Sequence, residues 1–301
     1  MFTENQLSEI KKLISPEKKV VIITHYNPDG DAIGSALGLK HFLNNMGVEP
    51  TVLAPNDFPK FLKWMPDAKK VVIAEYKRKT AGEAIYKADV IFCLDFNAHN
   101  RIGILGDWLM KSWAKKILID HHQQPEDFDY VYSDVTIPAT CQMVYHFIEA
   151  LGREDLVDQN VAECLYTGIM TDTGGFRFRS TSATTHRIVA NLIEKGANPA
   201  MITSNTWDTN SVSRLHLLSL ILGRIELVKD GKVAVLYLKR EELKEFGFEK
   251  GDTEGFVNYG LSIAGTKMAA FFMEDLHEDY IKISFRSKDD VDTNAFSRAH
   301  F

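Results

Sequence analysis

Short apolar runs alternate with segments of helical periodicity along the N-terminal part of the chain. Residues 19–24 are predicted to form a buried strand, and residues 31–46 have apolar positions at helical spacing, with Gly47 as the C-cap. The small residues Gly34 and Ser35 predict that this helix packs closely on the sheet. Apolar strands that alternate with helices are typical of a parallel sheet covered on both faces. Further strands are predicted at residues 50–53, 70–74, 90–94 and 115–119, and further helices at residues 142–151, 160–170 and 183–195.

A different pattern follows a long helical stretch at residues 211–228. Strands are then predicted at residues 232–238, 267–274 and 280–286, with a short helix that begins at Glu241. We therefore predict an α/β fold with two domains. Residues 1–210 form a domain with a mainly parallel, Rossmann-like sheet, and residues 211–301 form a linking helix and a smaller α+β domain. The apolar helix could serve a domain interface or a homodimer.

The composition narrows the class of ligand. A net charge of −6 argues against a long nucleic acid partner, because such partners are held through their phosphates by a basic surface. A short phosphorylated ligand held by bound cations remains compatible with this charge. No apolar run reaches the length of a membrane span, and the charged N-terminus is unlike a signal peptide, so we expect a cytoplasmic protein with no membrane partner. The cysteines are expected to be buried free thiols: Cys93, Cys141 and Cys164.

Carboxylates and histidines stand directly after three of the predicted strands. They occupy residues 25–31, Asp95 and residues 120–122, and Asp172 stands at the end of a predicted helix. Because the C-terminal ends of parallel strands meet at one edge of a sheet, the first three segments should converge. Clustered carboxylates need a positive counter-charge, and a set of carboxylates and imidazoles suits Mn²⁺ or Mg²⁺. Two such ions that share a carboxylate form a recurrent phosphoryl-transfer site.

Each of these residues also has a simpler interpretation when it is taken alone. An aspartate after a strand is often a helix N-cap, which applies to Asp31 and Asp95. Asp172 could cap a turn. The combination of four segments, each with the same chemistry at the end of an element, favours the metal site.

These motifs resemble those of the DHH phosphoesterase family. The resemblance rests on HYNPDGDAIGS, FCLDFN, LIDHHQ and GIMTDTGGFRF, which occur in the family's order between residues 20 and 180. Within the family, the chain most resembles the group of nano-RNases and 3′-phosphoadenosine 5′-phosphate (PAP) phosphatases. Residues 255–272 and 281–301 are similar to the DHH-associated C-terminal domain of that group, which binds substrate.

The resemblance implies a specific set of ligands for two Mn²⁺ ions, with Mg²⁺ as the alternative. One ion would be held by His25, Asp29 and Asp95. The other would be held by Asp31, Asp95, His121 and Asp172, with Asp95 as the bridge. The resemblance also assigns His122 to the substrate phosphate as a catalytic group and Asp120 to a supporting role that orients His121. Candidates for substrate binding are Arg286, Ser287 and Arg101, and a solvated surface cation is the alternative for the two arginines.

The expected activity is hydrolysis of phosphate esters in short single-stranded RNA, in PAP, or in both, by a metal-bound hydroxide. A pyrophosphatase or exopolyphosphatase would need a second domain rich in lysine and arginine, whereas residues 267–286 are mostly apolar. A cyclic-dinucleotide phosphodiesterase stays open. The family usually continues beyond the position of Phe301 into a glycine-rich segment with a histidine. The alternative outside the enzymes is therefore a nucleotide-binding module with reduced turnover.

Overall fold

A computed structural model describes residues 1–288 and 291–300 of the chain. Residues 289, 290 and 301, which belong to the stretch that resembles the DHH-associated domain, lie outside the described residues. The chain divides into two compact units, Met1–Asp208 and Thr209–Phe301. The sequence pattern places this boundary after residue 210.

Parallel strands form the sheet of the first unit. They are β1 (Val20–Ile23), β2 (Thr51–Ala54), β3 (Val72–Ile73), β4 (Val90–Leu94), β5 (Lys115–Asp120) and β6 (Tyr130–Ser133). Their order is β3-β2-β1-β4-β5-β6, and every neighbouring pair is parallel. The predicted Rossmann-like parallel sheet is confirmed. Strand β6 is not predicted by the sequence because its YVYS segment is short and mostly half-buried, without a continuous apolar run.

Helices cover both faces of this sheet. They are α1 (Glu4–Leu13), α2 (Gly30–Asn45), α3 (Arg78–Lys87), α4 (Ile104–Lys111), α5 (Thr140–Leu151), α6 (Gln159–Asp172), α7 (Ala183–Glu194) and α8 (Pro199–Trp207). Successive residues of a strand point to opposite faces, so the strands contribute to two cores. Ile22 packs in the core with residues of α2, α5 and α6, whereas Ile23 packs in the core with residues of α3 and α4.

Helix α2 packs closely against α6 through a row of glycines, Gly30, Gly34 and Gly38. A Cβ on Gly34 would lie 2.6 Å from the carbonyl oxygen of Cys164, and one on Gly38 would lie 2.6 Å from Cδ2 of Leu165. The prediction that Gly34 permits close packing on the sheet is therefore wrong, because this residue faces another helix. The close approach brings the start of α2 beside the end of α6.

The second unit contains a smaller mixed sheet. Its elements are α9 (Val212–Gly223), β7 (Glu226–Val228), β8 (Val233–Leu238), α10 (Arg240–Glu245), α11 (Phe256–Leu261), β9 (Met268–Glu274), β10 (Ile281–Ser287) and α12 (Thr293–His300). The strand order is β10-β9-β8-β7, with β8 and β9 parallel and the outer pairs antiparallel. Apolar residues of α9, β8, α11 and β9 form its core.

The prediction of one continuous helix over residues 211–228 is wrong at its C-terminal end. Helix α9 stops at Gly223, and Glu226–Val228 pairs antiparallel with β8. Glycine is a poor helix former, and the ladder hydrogen bonds to β8 favour an extended conformation over another helical turn.

Two further sequence-based expectations concern the cysteines and the membrane. Cys93, Cys141 and Cys164 are buried free thiols, as predicted. Burial raises the pKa of each thiol, so these residues are poor nucleophiles. Within the described ranges, no helix has both the length and the apolar character that are needed to span a bilayer.

Candidate metal centre

The candidate site lies at the C-terminal edge of the parallel sheet, where the strand order reverses between β1 and β4. His25 follows β1, Asp95 follows β4, and the His121–His122 pair follows β5. Ligands of open α/β sheets bind at this position, because the loops after adjacent strands turn in opposite directions there. Asp95 has a φ of 64°, a backbone conformation that is uncommon for a residue with a side chain and that recurs at functional sites.

His25 faces two carboxylates. Its Nδ1 lies 2.9 Å from the carbonyl oxygen of Tyr26, so Nδ1 carries a proton and Nε2 is left to face the carboxylates. Nε2 lies 3.7 Å from Oδ1 of Asp29 and 3.5 Å from Oδ2 of Asp95. These contacts orient the three side chains towards one another.

His121 is arranged in the same way at the centre of a second group. Its Nδ1 lies 3.2 Å from the carbonyl oxygen of Ile137, which leaves Nε2 to face the carboxylates. Nε2 lies 3.9 Å from Oδ2 of Asp31, 3.5 Å from Oδ2 of Asp172 and 3.5 Å from Oδ1 of Asp95. The two oxygens of Asp95 therefore face different groups, Oδ2 towards His25 and Oδ1 towards His121.

Thr140 supports two of these carboxylates at once. Its backbone N–H donates to Oδ2 of Asp31 at 2.6 Å, and its hydroxyl donates to Oδ1 of Asp95 at 2.8 Å. The next amide, that of Cys141, donates to Oδ1 of Asp31 at 2.8 Å. The N-cap of α5 is Ala139, whose side chain cannot accept a hydrogen bond, so the first amides of α5 bind Asp31 instead. The sequence pattern does not single out Thr140, because its partners lie 45 and 109 residues away along the chain.

Asp29 is both a candidate metal ligand and the N-cap of α2. Its Oδ1 accepts from the amides of Asp31 and Ala32, both at 3.1 Å, and so caps α2. The N-cap interpretation does not apply to Asp31, which lies inside α2, or to Asp95, because the helical turn that follows it has Ala98 as its N-cap. The capping bonds hold Asp29 in the orientation that places it beside His25.

Asp120 supports His122 rather than His121. Oδ1 of Asp120 accepts from Nδ1 of His122 at 2.7 Å, and Oδ2 accepts from the backbone N–H of His122 at 3.1 Å. The expectation that Asp120 orients His121 is wrong, because both oxygens of Asp120 bind His122 and Nδ1 of His121 is held by the carbonyl of Ile137. Nδ1 of His122 also lies 3.8 Å from Asp95, but its hydrogen bond to Asp120 occupies it. His121 is therefore the better ligand of the two.

Charge is crowded in this site. Burial raises the pKa of Asp31 and of Asp172 well above the ordinary value, and neighbouring carboxylates raise both further. Burial disfavours the charged form of His25, but its contacts with Asp29 and Asp95 outweigh burial and raise its pKa well above 6.5. The pKa of Asp95 is lowered, because contacts with His25 and the two later histidines outweigh burial. Without a cation, protons partly neutralise the cluster.

The three candidates for substrate binding have different surroundings. Arg101 lies in the turn His99–Ile102; its carbonyl oxygen accepts from the N–H of Tyr26 at 2.7 Å, and the residue is exposed. Arg286 is exposed on β10 of the second unit, where it donates to the carbonyl of Phe285. The hydroxyl of Ser287 donates to the carbonyl of Val291 at 2.6 Å.

Among the residues that the structure describes, three groups of donor atoms could hold a metal ion, and the atoms of each group lie within 4.8 Å of one another. They are His25, Asp29 and Asp95; Asp31, His121 and Asp172; and Asp95, His121 and His122. This fold and this site define an α/β protein whose sheet edge carries a cluster of carboxylates and imidazoles suited to divalent cations.

Residues 19–169 match the DHH family, N-terminal domain. The chain belongs to the DHH family, and it is accordingly a hydrolase of the phosphoesterase class.

Relatives and a solved structure agree with this membership. The chain is 30% identical to the bifunctional oligoribonuclease and PAP phosphatase NrnA of Thermus thermophilus, over 95% of this chain and 80% of the relative. It is 25% identical to the protein of the same name from Bacillus subtilis, over 94% and 86%. A crystal structure of an exopolyphosphatase-related protein from Bacteroides fragilis superposes with a TM-score of 0.94 at 39% identity, over 99% of this chain and 88% of that one.

Proposed function

We propose that this protein hydrolyses phosphate esters in short oligoribonucleotides and in PAP, with two Mn²⁺ ions in the cluster. The observation that carries the proposal is the position of Asp95, whose two oxygens face two separate groups of donors. A carboxylate shared in this way is the feature expected of a two-metal phosphoesterase. Both NrnA relatives are named for the same pair of activities.

The donors fit divalent cations. His25, Asp29 and Asp95 would hold one ion, and the other would be held by Asp31, Asp95, His121 and Asp172. Both imidazoles present Nε2 because backbone carbonyls hold their Nδ1 atoms, and buried carboxylates with raised pKa values favour a cation as partner. Oxygen-rich sites with imidazole suit Mn²⁺, and Mg²⁺ fits the same oxygens. Bound cations supply charge that stabilises the phosphoryl oxygens and lowers the pKa of water.

The protein's own proton carrier is His122. Asp120 only accepts, so Nδ1 of His122 holds a proton and Nε2 is the acceptor of the neutral ring. Hydrolysis adds water across the ester bond, with the hydroxyl going to phosphorus and the proton to the leaving oxygen. Nε2 takes the proton from water and returns it to the leaving oxygen, while the buried Asp120 carboxylate stabilises the imidazolium formed in between.

Exopolyphosphatase activity is the second candidate, and it is favoured by the description of the Bacteroides fragilis protein. A chain of phosphates would need several cations along its binding surface. Strand β9 carries no lysine or arginine, and β10 carries only Lys282 and Arg286. This composition supports a nucleotide substrate over polyphosphate.

The test offers the purified protein with Mn²⁺ four substrates: a labelled diribonucleotide, PAP, a cyclic dinucleotide and polyphosphate. We expect turnover of the first two. Turnover of polyphosphate alone would replace the nucleotide assignment with the second candidate. If none of the substrates is hydrolysed at full metal loading, the proposed function is refuted and the nucleotide-binding module with reduced turnover is favoured.

The ligand assignment is tested with Asp29→Asn. Asparagine caps a helix as well as aspartate does, so this variant keeps the hydrogen bonds of α2 and removes the charge next to His25. Asp158→Asn is the matched control, because Asp158 is the N-cap of α6, where it accepts from the N–H of Val161, and lies outside the donor groups. We expect Asp29→Asn to lose most of the activity and the control to keep it. Full activity in Asp29→Asn would disprove the assignment.

A further inference from the structure

A cavity of about 300 Å³ opens beside the candidate metal centre in the first unit. Its walls come from Tyr26 in the loop after β1, from Asn56 after β2, from Glu75 after β3, and from Arg78 and Ile104 at the starts of α3 and α4. All these positions follow C-terminal strand ends or begin the helices behind them. The cavity thus lies at the same edge of the sheet as the cluster, on the side of β2 and β3.

Tyr26 joins this cavity to the metal centre. Its carbonyl oxygen holds Nδ1 of His25 at 2.9 Å, and its N–H donates to the carbonyl of Arg101 at 2.7 Å. The next residue, Asn27, donates its N–H to Oδ1 of Asn56 at 2.7 Å and accepts from Nδ2 of Asn56 at 2.8 Å. The buried Asn56 therefore ties the cavity wall to the loop that carries His25.

The lining combines an aromatic surface with groups that can form directed polar contacts. Tyr26 is 51% exposed, so its ring is available for stacking, and Pro55 and Ile104 add apolar surface. The guanidinium of Arg78 lies 5.8 Å from the ring centre of Trp108, a cation–π contact that restrains it at the cavity. The Glu75 carboxylate can accept hydrogen bonds from sugar hydroxyls or from base amino groups.

A short run of positive charge lies on one side of the cavity, although the protein as a whole carries a charge of −6 and Glu75 adds a carboxylate to the lining. Lys77, Arg78 and Lys79 are consecutive and exposed at the start of α3. Such a local run attracts a phosphodiester, and the arginine can bind a phosphate through two parallel hydrogen bonds. Aromatic stacking with nearby cations is the usual way in which proteins hold single-stranded nucleic acid.

We propose that this cavity binds the second nucleoside of a short oligoribonucleotide. The first nucleoside is the one that PAP also has, and the second lies on the other side of the scissile phosphate. Its base stacks on Tyr26 and the following phosphate lies at Arg78. This inference rests on the proposed nucleotide-hydrolysing function. A polyphosphate would leave Tyr26 and Ile104 without a partner, and PAP has one nucleoside, so only an oligonucleotide uses the cavity and the metal centre together.

The experiment compares two substrates in the full chain with Mn²⁺. The quantity measured is the ratio of kcat/KM for a diribonucleotide with a 3′-phosphate to kcat/KM for PAP. It is measured for the unaltered protein, for Tyr26→Ala and for Arg78→Ala. Matched controls are Tyr86→Ala and Arg187→Ala, which replace exposed residues of the same types elsewhere on the first unit. We expect the ratio to fall about tenfold in each cavity variant, through a higher KM for the diribonucleotide, and to stay constant in the controls.

Equal losses on both substrates would leave the ratio unchanged and would overturn the proposal, because the two side chains would then not act on the second nucleoside. Binding of a fluorescein-labelled diribonucleotide, measured by fluorescence anisotropy, separates the two levels of the argument. If the unaltered protein hydrolyses neither substrate, the proposed function fails. The cavity assignment then stands only if Tyr26→Ala and Arg78→Ala weaken binding of the labelled diribonucleotide by about tenfold relative to the controls. Without such weakening the cavity assignment fails as well.

Discussion

Replacing Thr140 with valine isolates a single hydrogen bond of the metal centre. Valine has nearly the same shape as threonine and keeps the backbone N–H that donates to Asp31 at 2.6 Å. The substitution removes only the hydroxyl that donates to Oδ1 of Asp95 at 2.8 Å, in a fully buried position that water cannot readily fill. Asp95 is the carboxylate that both donor groups share, so a change in its orientation affects both.

A hydrogen bond to a charged group contributes about 1.5–3 kcal/mol. Since about 1.4 kcal/mol corresponds to a factor of ten, loss of this hydrogen bond should lower the metal affinity of the cluster roughly 10- to 150-fold. The range agrees with the roughly 10- to 100-fold effects of removing groups that orient metal ligands. We therefore expect Thr140→Val to raise the Kd for Mn²⁺ by this factor and to lower activity at limiting metal.

The assay is titration of the metal-free protein with Mn²⁺ by calorimetry, alongside activity as a function of metal concentration. Thr140→Ser keeps the hydroxyl and is the matched control, with a Kd expected close to that of the unaltered protein. Circular dichroism verifies that both variants are folded. A folded Thr140→Val protein with an unchanged Kd would show that the hydroxyl does not orient Asp95 for metal binding.

Two further predictions concern helix packing and pH. Gly168→Ala should destabilise the first unit by about 3 kcal/mol, because the new Cβ overlaps Sγ of Cys141 and lies 3.0 Å from Oδ1 of Asp31. Thermal unfolding measures this loss, and adding Cys141→Ala should restore part of it. If the double variant is no more stable, the strain does not come from the contact with Cys141. Metal should stabilise the protein more as pH rises. Asp31 and His25 have raised pKa values, so in the metal-free folded state they retain protons that the unfolded state has released. Their contribution to stability is lost as pH rises above the ordinary pKa of each group, 3.8 for Asp31 and 6.5 for His25. We expect Mn²⁺ to raise Tm more at about pH 8 than at about pH 5.5, and equal increments at both pH values would contradict this.

The residue types and their positions at the ends of elements follow from the sequence alone. Continuous apolar runs such as VIFCL before Asp95 predict buried parallel strands, because only a strand covered on both faces tolerates such a run. The carboxylates and histidines after these strands then predict a shared sheet edge.

The contacts between distant segments depend on the tertiary structure. Thr140 meets Asp31 across 109 residues, and the glycine row of α2 faces α6 rather than the sheet. Strand β7 likewise forms where helical periodicity continues, because pairing with β8 outweighs local propensity. Local sequence determines which element a segment forms and which chemistry it carries. Packing between segments far apart in the chain decides which atoms come into contact. The periodicity of the sequence does not encode this packing.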